Sequence, residues 1–184
     1  LGFARVFTGW GWFAPLALAA GGSWLVAVTA RRLGLGMLLS AAASMLGLVL
    51  LVTLTFYRDT AWAGLLPTWA TRDALRLDLE AVWSQFSEVK ALVPGDVGWL
   101  VPAMAAIWIA VYLSDGFAFR AGVALETLLP LGLVFVFSSA VGADRHRIVL
   151  TALWIITALV VVALQRTTGD DDTGWLTGSR SGVA

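Results

Sequence analysis

The sequence predicts an all-α, polytopic helical membrane protein with about five transmembrane helices and one amphipathic extramembrane helix. Composition is the first reason. Hydrophobic residues make up 59% of the chain and charged residues 13%, against roughly 45–50% and 25% in soluble domains. Distribution is the second. The excess lies in runs of about 20 residues, and at a 1.5 Å rise such a run crosses a ~30 Å hydrocarbon core. The clearest runs are residues 97–114 and 121–142, which flank a short segment with one acid, Asp115, and one base, Arg120. They read as a transmembrane hairpin with its turn at a water interface.

Charge and cysteine content exclude several functions. The formal net charge is zero, which gives no bulk attraction to nucleic acid. The chain has no cysteine, so a disulfide, a thiolate zinc site and a cysteine nucleophile are excluded within these residues. Residues 1–7 lack the basic start, apolar core and cleavage site of a signal peptide. The start at Leu1 and the apolar turn at Gly182, Val183 and Ala184 after a polar stretch lead us to expect a segment of a longer protein.

The first span is predicted at about 11–30, opened by Trp10 and Trp12, whose rings suit the headgroup layer. Gly21, Gly22 and Ser23 allow close helix approach at its middle, and Arg31 and Arg32 end it as a topology anchor. The second span, about 36–57, carries the small pairs Ser40/Ser44 and Ala43/Gly47, a candidate helix-contact face.

Residues 58–96 form the long extramembrane loop. Within it, 71–92 reads as a helix, with Thr71 as N-cap and Asp73 in the first turn. Leu75, Leu79, Val82, Phe86 and Val89 recur at steps of four and three and line one face. That face lies on the membrane or the bundle rim, or docks an envelope protein. Val93-Pro94-Gly95-Asp96 then breaks the helix.

In the third span Pro102 is expected in the first turns, where a missing N–H is tolerated. In the fourth, Pro130 is expected to kink the helix. Glu126 is the one acid clearly inside a predicted span. It is either a proton or ion ligand, or a carboxyl that snorkels, protonates or pairs with a base such as Arg120, Arg31 or Arg32. No acid inside another span stands ready to form a relay with it, which favours the second reading. The loop 143–147 contains the single histidine, His146, which has no partners at metal-ligand spacing. The fifth span is about 148–164, and 167–184 is a polar tail in which Asp170–Asp172 read as solvated acids. Short-loop bases divide into Arg31, Arg32, Arg120 and Arg166 on one side and Arg145 and Arg147 on the other. This places the tail in the cytoplasm and the long loop outside. The candidate functional or packing residues are therefore Asp115, Arg120, Glu126 and Pro130. No catalytic, cofactor-binding or metal-binding residue and no cofactor is assigned, and the bilayer is the expected partner.

Several short motifs then fall in a familiar order. They are Gly64-Leu65-Leu66-Pro67-Thr68 ahead of the loop helix, Val93-Pro94-Gly95 before the third span, and Asp115 followed by Phe117-Ala118-Phe119-Arg120. The proline Pro130 in the next span and the Arg31-Arg32 pair complete the set. From about 7 to 176 the chain resembles the N-terminal membrane region of bacterial transglutaminase-like membrane proteins. The resemblance implies a multi-pass segment of the cytoplasmic (inner) membrane that anchors and positions an extracytoplasmic Cys-His-Asp domain for acyl transfer or peptidase-like chemistry. None of those three catalytic residues maps onto this sequence. The alternatives are a non-catalytic structural subunit of a membrane complex and a transporter component.

Overall fold

The computed structural model describes residues 2–85, 93–121, 126–143 and 146–170, and all regular structure among them is helical. Six α-helices follow in order: α1 (Phe13–Arg32), α2 (Met37–Phe56), α3 (Trp69–Gln85), α4 (Val97–Gly116), α5 (Leu129–Val141) and α6 (Arg147–Asp170). Three helices are long and apolar enough to cross a membrane: Phe13–Arg32, Met37–Phe56 and Val97–Arg120. The apolar helices Glu126–Val141 and Arg147–Ala163 are shorter.

The core is a sheaf of α1, α2 and α4. One face of α1 is buried through Leu16, Ala19, Ser23, Ala27 and Ala30, spaced three and four apart. The residues are small, so α4 comes close and runs parallel to α1. α2 runs antiparallel to both and buries Ser40, Ser44, Val52 and Thr53. Large apolar side chains such as Leu25, Leu38 and Leu46 point outward. This arrangement inverts a soluble core: small and polar residues pack inside, while the bulky aliphatics face the apolar surroundings.

The third span differs from its predicted limits. α4 does not stop at Ser114 but continues through Asp115 and Gly116 into a π turn, Phe117–Ala121. Asp115 accepts a hydrogen bond from Arg31 at 2.9 Å, so its charge is matched without leaving the helix. The fourth predicted span is shortened. A 3-10 turn, Glu126–Leu128, precedes α5, and Pro130 stands in the first turn of that helix, where it starts the helix instead of kinking it. Pro102 lies in the interior of α4, where it denies the Gly98 carbonyl its usual donor.

One end of the sheaf is closed by a cap. The N-terminal segment forms a parallel bridge between Phe7 and Val93, with Val93 N–H donating to Val6 O at 2.8 Å and Thr8 N–H to Val93 O at 3.0 Å. Buried Arg5 donates from Nε to Ala143 O at 2.7 Å. A Cβ on Gly2 would collide with the Ser138 hydroxyl of α5. These contacts gather three distant segments: the start of the chain, the long loop, and the end of α5.

Thr68, not Thr71, caps α3. The Thr71 amide donates to Thr68 Oγ1 at 3.4 Å and the Thr68 amide to Thr71 Oγ1 at 3.1 Å, a reciprocal cap. Thr68 Oγ1 also donates to Thr60 O at 2.7 Å, which pins the helix start to the turn after α2.

Candidate functional site

The polar residues of the sheaf form a continuous seam along α4. Trp108 sits near the middle of the apolar span Val97–Arg120 and is 2% exposed. Its ring is held between two glycines: a Cβ on Gly22 of α1 would lie 2.9 Å from the ring, and one on Gly47 of α2 3.0 Å. The indole N–H donates to Ser44 Oγ at 2.9 Å. Ser23 Oγ donates to the Trp108 carbonyl at 2.7 Å. One turn on, Tyr112 Oη donates to Ser40 Oγ at 2.9 Å. An indole is too polar to bury without an acceptor, and Ser44 supplies it.

The seam ends at a charged cluster. Arg31, in the last turn of α1, pairs with Asp115 at 2.9 Å. The Arg31 guanidinium also lies 3.9 Å above the Phe119 ring centroid, a cation–π contact. Arg120 reaches back to the α1–α2 connection and donates to Leu35 O at 3.3 Å. Arg31 Nε is buried and has no hydrogen-bond partner among the described residues. Beside this cluster a cavity of about 270 Å³ opens between α1, α2 and α4, lined among others by Ala27, Met37, Tyr112, Asp115, Gly116 and Arg120.

Of the residues selected from sequence, Asp115 and Arg120 meet in this cluster. Glu126 does not pair with Arg31, which is taken by Asp115; it is half-buried in the turn before α5. On α3, Leu75 packs against the buried cluster of the sheaf and Val82 lies against Gly98 of α4. Leu79 is exposed, and Phe86 and Val89 lie outside the described residues. The contact of α3 with the bundle is completed by residues that apolar periodicity does not select. Thr71 is buried, and Asp78 accepts a 2.7 Å hydrogen bond from Tyr57 Oη. Burial and the adjacent Asp78 carboxylate push the Tyr57 phenol well above its usual range. A second cavity of about 440 Å³ lies where α3 meets the start of α4, with Asp78, Gln85, Asp96 and Trp99 on its wall.

Sequence reasoning missed Trp108 as the centre of the seam. A signal existed: a tryptophan in mid-span, away from the interface it favours, must find an acceptor, and Ser40/Ser44 is a stripe of acceptors one span away. No protein-family model, curated protein or solved structure matches this chain. Ser23, Ser40, Ser44 and Tyr112 are committed to hydrogen bonds between helices, and among the described residues no group of three or more metal-ligating side chains stands together. The arrangement holds helices in register and presents a charged, cavity-bearing end.

Proposed function

We propose that this chain is a multi-pass module of the bacterial cytoplasmic membrane, crossing it five times, that anchors and positions a transglutaminase-like domain. The Cys, His and Asp of that domain lie outside these residues. The observation that carries the reading is the cap. Main-chain bonds from Val93 to Val6, from Thr8 to Val93 and from Ala143 to Arg5, with the Arg5 side chain returning one to Ala143, tie the N-terminal segment, the long loop and the α5–α6 connection into one platform at one end of the sheaf. A platform stitched to three transmembrane elements is suited to holding a neighbouring domain at a fixed height and angle.

Five crossings are supported by the connections at the two ends. Arg120 is bonded to Leu35 at the arginine-rich end, and Ala143 is bonded to Arg5 at the cap. These two contacts, at opposite ends of the sheaf, support a crossing through α5. α6 starts at the cap and stacks Trp154 on Phe135 of α5, with ring centroids 5.2 Å apart.

The test is to read the gene on both sides of this segment and express the protein it encodes. An extracytoplasmic domain with Cys, His and Asp in order, labelled by a thiol-directed acyl electrophile, supports the proposal. A gene without such a domain overturns it. A second reading, a structural subunit of a membrane complex, is favoured by the outward face of α3, where Trp69, Leu77 and Trp83 are exposed. Partners that co-purify stoichiometrically in mild detergent would support it.

A further inference from the structure

The charged end of the sheaf has a cavity that helix packing does not require. We propose that it is a binding site for one anionic phospholipid, with the phosphate held by arginine and the first part of an acyl chain lying between α1, α2 and α4. The inference is independent of the anchoring role above.

Three observations carry it. First, the cavity of about 270 Å³ is mostly apolar in its walls, with Ala27, Met37, Leu113 and Phe117 contributing, but has Arg120 at its edge. That combination matches an amphiphile and matches neither a free ion nor a purely apolar guest. Second, basic side chains gather here. Among the described residues Arg31, Arg32 and Arg120 lie at this end with Asp115 and Glu126, and Asp115 is held by Arg31. Arg120 is exposed, lies close enough to feel the Asp115 carboxylate, and donates a long 3.3 Å bond to the Leu35 carbonyl. Arg31 Nε is buried without a partner among the described residues although its Nη2 is engaged. Third, there is unfilled room at the right place. Gly116 lines the cavity, and a Cβ there would meet nothing within 4 Å. By contrast the glycines around Trp108 are in tight contact. The site lies at the end of the apolar span Val97–Arg120, the level at which phosphate and glycerol groups sit. Arginine's planar fork is suited to phosphate.

Two substitutions separate the two halves of the site. Arg120→Ala removes the phosphate partner, with Arg120→Lys restoring charge without the fork. Gly116→Leu fills the acyl part and leaves every arginine in place. The full chain would be placed in nanodiscs of phosphatidylcholine containing phosphatidylglycerol, and retained lipid read by native mass spectrometry after release into detergent. The unsubstituted protein is expected to retain phosphatidylglycerol over phosphatidylcholine by about tenfold, the value of one charge-assisted hydrogen bond. Arg120→Ala should abolish that preference, Arg120→Lys should restore part of it, and Gly116→Leu should empty the site of both lipids. A parallel melting experiment adds inorganic phosphate to the protein in pure phosphatidylcholine discs; no shift is expected. Equal retention of the two lipids by the unsubstituted protein overturns the proposal, without recourse to any variant. So does a preference that survives both Arg120→Ala and Gly116→Leu. A shift with inorganic phosphate matching that with phosphatidylglycerol would assign the site to the free anion and overturn the lipid.

Discussion

Breaking the Arg31–Asp115 pair from either side should give unequal results. Arg31 is 26% exposed and Asp115 5%. At 2.9 Å and an effective dielectric constant near 20, the attraction is about 6 kcal/mol before desolvation. Taking both ions out of water offsets much of that, so the net worth of the pair is small compared with the harm of leaving half of it behind. Arg31→Ala leaves a nearly enclosed carboxylate without its hydrogen-bonded base, and the expected loss is about 3–5 kcal/mol. Asp115→Ala leaves a guanidinium in the last turn of α1 that keeps the Phe119 ring and extends toward water. The expected loss there is smaller, about 1–3 kcal/mol. The double substitution removes both charges and should be less damaging than Arg31→Ala alone. Reversible unfolding of the four proteins in mixed detergent micelles, followed by circular dichroism, gives the cycle. Additivity to within about 0.5 kcal/mol would refute the pairing argument, and so would Asp115→Ala proving the worse single change.

Other expectations rest on different contacts. Gly47→Val pushes a branched side chain into the Trp108 ring and should cost about 1–3 kcal/mol by overpacking, read as a lowered melting temperature; Gly36→Ala, where a Cβ meets nothing within 4 Å, is the control. Gly98→Val puts a side chain against the Asp78 carbonyl, 2.7 Å from the Cβ position, and should lift α3 away so that Ser84 is cut sooner by protease. The Tyr57–Asp78 bond requires a neutral phenol, and the phenol's pKa is raised in the fold. Its contribution is therefore complete below the unfolded value of about 10 and is lost as pH rises through the higher folded value. Amide exchange in α3 should accelerate at alkaline pH, and Tyr57→Phe should already exchange fast at neutral pH and lack that added alkaline step. Because the chain has no cysteine, single-cysteine labelling is clean: Leu33→Cys should react from one side of the membrane, and Ser84→Cys and Ile148→Cys from the other. Labelling of Leu33→Cys and Ile148→Cys from the same side would exclude a crossing through α5.

Apolar runs made the helices legible, because a span needs only length and hydrophobicity, and both are local. Helix ends were less legible. Asp115 looked like the start of a water-exposed turn because its partner, Arg31, lies 84 residues away in sequence. Once they pair, the helix has no reason to stop. Pro130 looked like a kink because the true start of α5 depends on the turn at Glu126–Leu128, which hydropathy does not resolve. The amphipathic face of α3 was visible in Leu75 and Val82, but its polar contacts were not. Thr71 is buried and Asp78 half-buried because Thr60 and Tyr57 wait for them, and no periodicity in α3 reports what stands opposite. The small pairs on α2 were visible as a possible face, and Trp108 of α4 is what they receive.

The Trp108 clasp also bears on how the protein is made. α1 and α2 leave the ribosome as an early pair, while α4 follows only after the long loop. Until then Ser44 has no indole and Ser40 no phenol beside it, and Ser23 has no carbonyl to reach. A serine in that state can turn back on its own helix, as Thr53 and Thr55 do by donating to the carbonyls of Val49 and Leu51. The early hairpin is thus tolerable in lipid but unfinished, with an open slot between Gly22 and Gly47. Arrival of α4 converts local hydroxyl bonds into bonds between helices. The tryptophan is thus the last piece of the sheaf's interior: a nascent chain that has not seated it still carries a cleft and loose hydroxyls.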